Sequence, residues 1–260
     1  MKSSMEKRIF ISGYDRTIQE YLLEAPRAIP AGGILIYLHG ATNHLDQGMN
    51  EEIFGGAFKF LKSWAKSRNF VYVCPEYRGD SWMNDAAQQD IALLLSLLRE
   101  EFFAHRIIIV GGSMGGTSAL IFAARWPGLL KGVIALCPAT DMAVLYRVWE
   151  NGSGIQPDLA RGIKSAYGGD PGDMPEKYRA LSSINSVEKL ARVPLYLIHG
   201  DADALISVEH SRNLIGKLVL HNADFQFEII PGGDHDSPVA PEHLKKALAW
   251  IETRIEPEVK

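Results

Sequence analysis

The feature that most constrains this chain is six residues long: Gly111-Gly112-Ser113-Met114-Gly115-Gly116. A β-branched apolar run, Ile107-Ile108-Ile109-Val110, leads into it. Met114–Arg125 follows at once, apolar nearly all round, and Pro127 ends it. A strand that passes straight into a helix leaves its apex residue strained, and flanking glycines remove the side chains that would clash. Such a turn needs a buried strand with a buried helix packed back against it. The serine oxygen then projects at the carboxyl end of a sheet, where the helix amino terminus also points its unpaired N–H groups. The competing reading, a glycine-rich turn with an incidental serine, leaves the strand–turn–helix context unexplained.

The rest of the chain repeats the same alternation. Arg8–Ser12 and Ile18–Glu24 read as a hairpin around Gly13-Tyr14-Asp15. Gly33–Leu38, Phe70–Cys74, Arg106–Val110, Gly132–Leu136, Pro194–Ile198 and Phe225–Ile230 are apolar runs too short for helices. Continuous runs of this kind suit parallel strands buried on both faces. Helical spacing predicts Glu51–Arg68, Asp85–Phe102, Met114–Arg125, Val208–Leu218 and Pro241–Arg254. The fold class expected is therefore α/β: a mostly parallel sheet of about eight strands, opened by an antiparallel hairpin and covered by helices on both faces. With 260 residues, 47% of them apolar, one domain over 1–260 can bury a full core. The stretch from about 140 to 185 is longer than a simple crossover needs, with Met142, Tyr146 and Trp149 on one helical face. It is read as a small cap over a site, the alternative being an ordinary excursion packed on the sheet edge.

Charge and composition exclude several classes. Net charge is −4 and basic residues are scattered, so a nucleic-acid surface is not expected. No apolar stretch approaches the roughly 20 residues of a membrane helix. The polar start, Met1 to Arg8, lacks an apolar signal core, and a cytoplasmic location is expected. Cys74 and Cys137 sit in or just after apolar runs and read as buried thiols rather than a disulfide.

A serine hydroxyl is a poor nucleophile unless a base takes its proton. Of eight histidines, His235 is best placed, in Pro231-Gly232-Gly233-Asp234-His235-Asp236 after the last strand. His243 is expected to be solvated on the helix that follows, and His210 and His221 to belong to a helix and its exit. The imidazole needs an acid to fix its tautomer. Asp203, in His199-Gly200-Asp201-Ala202-Asp203, is favoured; Asp201 is then a turn residue bonding its own backbone, and Asp141 is a weaker alternative. An oxyanion needs two donors. The backbone N–H of Met114 is one, and the N–H of Ala41, in His39-Gly40-Ala41-Thr42-Asn43-His44, is assigned as the other. His39 and Gly40 are expected to shape that loop.

The order Ser113, Asp203, His235 is that of the α/β-hydrolase superfamily, which the chain resembles from about Ile9 to Ile255. Within it the chain looks like single-domain enzymes related to prolyl oligopeptidases and dienelactone hydrolases. The residues that carry the likeness are His39-Gly40, Tyr77-Arg78-Gly79, Gly111–Gly116, His199–Asp203 and Gly232–His235. The resemblance aligns the acid with Asp203 and the base with His235. It also puts the segment after Tyr77 on the substrate side, making Arg78, Asp80, Ser81 and Trp82 candidates for contacting the leaving group; Thr42 and Trp149 are further candidate substrate contacts. A structural loop with Asn84 capping the next helix is an equal alternative for that segment. Two departures stand out: prolyl oligopeptidases carry a propeller domain where this chain has only a hairpin, and dienelactone hydrolases use cysteine where this chain has Ser113.

The resemblance implies a serine hydrolase that needs no cofactor and no metal. A small-molecule carboxylic ester, such as an acetyl or feruloyl ester, is the substrate expected by that likeness. A serine aminopeptidase or amidase is the alternative, and a hydrolase-fold binding protein without catalysis, or a metal hydrolase built on His199, Asp201, Asp203 and Asp234–Asp236, is less favoured. A homo-oligomer is compatible with the sequence but not called for by it.

Overall fold

The structure is a computed structural model, and it describes residues 5–255. Met1–Ser4 of the charged start, and residues 256–260 of the expected domain, lie outside the described residues. The strands are β1 (Met5–Ile11), β2 (Ile18–Glu24), β3 (Gly33–Leu38), β4 (Phe70–Pro75), β5 (Ile107–Gly112), β6 (Gly132–Leu136), β7 (Leu195–Gly200) and β8 (Phe225–Ile230). The helices are α1 (Ala57–Ser67), α2 (Asp85–Phe102), α3 (Met114–Arg125), α4 (Met142–Glu150), α5 (Gln156–Tyr167), α6 (Pro175–Ala180), α7 (Val187–Leu190), α8 (Glu209–Leu220) and α9 (Pro241–Glu252). The strands form one sheet in the order β1-β2-β4-β3-β5-β6-β7-β8. β1, β2 and β4 pair antiparallel in turn, and every pairing from β4 to β8 is parallel. The alternation of runs and helices predicts this mostly parallel sheet, and the resemblance implies its α/β-hydrolase arrangement. No helix among the described residues is long and apolar enough to cross a membrane.

The two-residue period of the strands divides the core into two layers. Ile107 and Ile109 of β5 face one way, with Ile34, Ile36, Val133 and Leu197, against α2, α3, α4 and α8. Ile108 and Val110 face the other way, with Leu35, Tyr37, Ile134 and Ile198, against α1 and α9. β8 departs from the expected burial on both faces: as the last strand of the sheet it is only half covered. α1 starts six residues later than its spacing predicts. Gly55 and Gly56 take positive φ (62° and 87°), which breaks the helical run after Phe54. α2 begins where its cap predicts, the Asn84 side chain accepting from the Ala87 N–H at 3.0 Å.

Several polar residues serve roles other than those expected. His243 is paired with the Glu228 carboxylate at 2.8 Å rather than solvated, because the half-open β8 brings Glu228 against α9. Asp141 caps α4, its Oδ1 accepting from the Ala143 and Val144 N–H groups. His210 is on α8 as expected, but buried, where its Nδ1 accepts from the Thr140 N–H at 3.3 Å.

The burial of His210 has a consequence for stability. Burial disfavours its charged form; the Asp141 and Asp203 carboxylates oppose this, His199 adds to it, and the pKa is pulled down to about 4 from 6.5. The unfolded imidazole takes a proton as pH falls through 6.5, while the folded one does not until about 4. The native state therefore loses roughly 3 kcal/mol over that window, relative to the same protein without this histidine. His210→Asn, whose amide oxygen can replace Nδ1 as acceptor, should flatten this loss. Urea unfolding followed at pH steps across the window is the measurement, and an equal fall in both proteins would remove His210 as the cause.

Candidate active site

Ser113 alone makes the turn between β5 and α3, with φ 56° and ψ −121°. A non-glycine residue at such φ costs on the order of 1–3 kcal/mol unless its surroundings impose it. Here they do. The Ser113 N–H donates to the Leu136 carbonyl of β6 at 2.9 Å, and its own carbonyl accepts from the Thr117 N–H and hydroxyl. The glycines allow the close approach. A methyl on Gly115 would fall against the Leu38 carbonyl, and one on Gly116 would stand 2.7 Å from the Leu136 carbonyl oxygen.

The loop after β7 carries Asp203 and the loop after β8 carries His235. The His235 Nδ1–H donates to Asp203 Oδ2 at 2.7 Å. Asp203 Oδ1 accepts from the Leu205 and Ile206 N–H groups at 2.8 and 2.9 Å. His199 is the partner that residue order does not announce. It is buried at the end of β7, donates from Nε2 to the Ile206 carbonyl at 2.8 Å, and holds the same nitrogen 3.3 Å from Asp203 Oδ2. Burial opposes charge on Asp203, but the bonds from His199 and His235 outweigh it and hold the carboxyl well below the usual carboxylate range. Burial also opposes charge on His235, and there the Cys137 sulfur and the Asp203 carboxylate prevail, raising the affinity of the ring for a proton. His235 Nε2 is buried and without a hydrogen-bond partner. Ser113 and His235 line the same cleft, but the serine hydroxyl does not bond Nε2. Bonds of this kind commonly tighten only when substrate is bound.

Asp201 does not bond its own backbone. Its Oδ1 accepts from the Gly232 N–H at 2.6 Å and so ties the loop after β7 to the loop that presents His235. The loop after β3 is fixed as firmly. The His39 ring bonds the Gly40 and Glu76 carbonyls, and the Gly40 N–H donates to Gln47 Oε1 at 3.0 Å. Tyr77 donates its hydroxyl to the His39 carbonyl at 2.6 Å, and Glu76 accepts from the Leu45 N–H. Gln47 and Glu76 escape sequence reasoning because no motif marks a side chain that only braces a loop. Ala41 lines the cleft, and Met114 is the first, buried residue of α3.

Of the expected substrate contacts, Thr42, Arg78, Asp80, Ser81, Trp82 and Trp149, only Thr42 lines the cleft. Arg78 is held away from it by Asp15 at 2.7 Å and by the buried Asp90 at 2.6 Å, joining the hairpin to α2. Trp82 and Trp149 are fully buried and pack edge-on against each other, ring centroids 5.6 Å apart, with Trp149 Nε1 donating to the Leu205 carbonyl. Their charge and rings are used to hold elements together, which corrects the expectation that these three touch substrate. The cleft itself offers about 160 Å³. Phe54, Ile155, Leu159, Leu205 and Val239 make its apolar wall, two of them from the start of α5 and the turn before it.

Residues 57–257 match the model of the prolyl oligopeptidase family. An uncharacterized peptidase of Bacillus subtilis, YtmA, is 30% identical over 160 residues, covering 58% of this chain and 59% of its own length. A monoacylglycerol lipase of Mycolicibacterium smegmatis is 28% identical over 192 residues, covering 63% of this chain and 68% of the lipase. The fold is also similar to that of the acylaminoacyl peptidase of Pyrococcus horikoshii, with a TM-score of 0.73 and 20% identity over 99% of this chain and 43% of the peptidase. The chain thus spans about three fifths of the B. subtilis relative and less than half of the archaeal one. With two thirds or more of its length matched, and a strand-to-helix serine facing a histidine–aspartate pair, the chain belongs to the prolyl oligopeptidase family of serine hydrolases.

Proposed function

We propose that the chain hydrolyses carboxylic esters with small, uncharged acyl groups, such as acetyl or feruloyl esters, through an acyl-enzyme. The observation that carries this reading is that Ser113, at its strained turn, opens on the same cleft as His235, whose ring is held by Asp203. Ser113 Oγ attacks the ester carbonyl, His235 Nε2 takes its proton and passes it to the departing alkoxide, and water reverses the sequence. Asp203 keeps the proton of the ring on Nδ1, so that Nε2 faces the serine as an acceptor. The N–H groups of Met114 and Ala41 receive the oxyanion: the first is unpaired at a helix start, the second sits on a loop braced from both sides. Thr42, at the cleft edge, is proposed to meet the alcohol side. The segment from about 140 to 185 acts as the cap, since Ile155 and Leu159 supply part of the acyl wall.

Ester rather than peptide cleavage is favoured by the lining. Beside His235, the one ionisable carboxylate on the cleft is Asp236, at its exposed rim. With that carboxylate at the exposed rim, the cleft offers no buried anion to the ammonium of a free amino terminus. The likeness to a monoacylglycerol lipase agrees with an ester substrate, and the likeness to a named peptidase keeps amide cleavage as the competing reading. Parallel assays on nitrophenyl acetate and on aminoacyl anilides separate the two. The ester should turn over at least about 100-fold faster, as expected for a site that must protonate no amine. Faster anilide cleavage would overturn the ester reading and leave the serine hydrolase in place.

A further inference from the structure

We infer that Cys137 and His235 form a binding site for a borderline-soft divalent cation of the zinc class, oriented by Asp203, and that occupation of this site closes the hydrolase. Donor atoms of the three side chains lie within 4.8 Å of one another. A thiolate and an imidazole are donor types that zinc takes, with the Asp203 carboxylate behind the imidazole as its orienting partner.

Three features fit a cation rather than a chance meeting. Cys137 follows β6 with φ 41°, a conformation that non-glycine residues seldom adopt, and its side chain meets the loop of His235. Its thiol donates to the His235 carbonyl at 3.2 Å and lines the cleft that substrate would enter. His235 Nε2 is buried and unpartnered while Nδ1–H is held by Asp203. A metal-ligating histidine usually donates its other ring N–H to a carboxylate in this way. Cys74, the other thiol, does not line the cleft.

Binding requires that the Cys137 thiol release its proton and that His235 Nε2 give up any proton it carries, both to solvent. The ion takes the lone pair that His235 would offer to Ser113, and water or substrate oxygen fills the remaining positions. The inhibitory consequence rests on the proposed hydrolase reading; the cation site does not.

The test uses the full chain stripped of metal with a chelator. Titration with Co²⁺ should give a thiolate-to-cobalt charge-transfer band at one equivalent, lost in Cys137→Ser and in His235→Asn. Zn²⁺ should lower wild-type ester hydrolysis by at least about tenfold, reversibly with chelator, and should lower whatever activity Cys137→Ser retains by less than about twofold. Absence of the band in wild type, its survival in either variant, or equal inhibition of Cys137→Ser would overturn the site. If Cys137→Ser fails to fold by circular dichroism, the band in wild type and in His235→Asn decides. If no ester or anilide is cleaved at all, the hydrolase reading fails while the cobalt band still answers for the cation.

Discussion

Ser113→Ala should lower kcat by about 10⁵-fold or more on nitrophenyl acetate, with KM little changed. The alanine loses one oxygen atom and keeps the turn, because the bonds that impose φ at this position come from the backbone and from Thr117, not from the serine hydroxyl. The protein should therefore unfold at nearly the wild-type temperature. Labelling by a fluorophosphonate probe should vanish with it. The combination with His235→Ala should cost little more than either change alone, since a base without its nucleophile accomplishes nothing and the oxyanion donors persist in both. If the two losses multiply instead, Ser113 and His235 act on different steps, and the proposed unit is wrong. Retention of more than about a tenth of wild-type turnover would show another nucleophile, with Cys137 the first to examine.

What could be read from the residues, and what could not, divides along a physical line. Local chemistry was legible. Glycines at 111, 115 and 116 announce close backbone approach, Asn84 announces the start of α2, and six short apolar runs announce six strands, with errors of one or two residues at the ends. α1 starts later than periodicity predicts because the residues before the Gly55–Gly56 break carry helical apolar spacing, which periodicity alone cannot tell from a helix. Asp203 and His235 could be nominated because their roles demand loops after particular strands, and the structure brings them to bonding distance. Contacts between distant segments were not legible. Arg78 has the right neighbourhood for a substrate contact, yet Asp15 and Asp90, far apart in sequence, claim its guanidinium first. Trp82 and Trp149 find each other across the fold in the same way. His199 stood in plain view within the motif of Asp203, but a histidine that braces a carboxylate from within the strand carries no signature of its own.

Asp203→Asn should reduce kcat by about 10⁴-fold while leaving the fold intact, and the bonds around Asp203 say why. Oδ1 accepts from two backbone N–H groups, so the asparagine must place its carbonyl oxygen there. Its NH₂ then occupies the place of Oδ2 and points a donor at His235 Nδ1. The ring can accept that bond only by moving its proton to Nε2, and a protonated Nε2 cannot take the proton of Ser113. The two backbone bonds thus convert an isosteric change into the wrong tautomer. His199 sharpens the effect, because its Nε2–H lies 3.3 Å from Oδ2 and would face a second donor. Asp203→Ala tests the same logic from the other side. It forces no tautomer and should retain more activity than Asp203→Asn, but it gives up both turn bonds and should unfold at lower denaturant. Steady-state kinetics with urea midpoints on the two variants make the comparison. Asparagine within about tenfold of wild type, or alanine the less active of the pair at equal folded fraction, would overturn the reading that Asp203 acts by holding the proton on Nδ1.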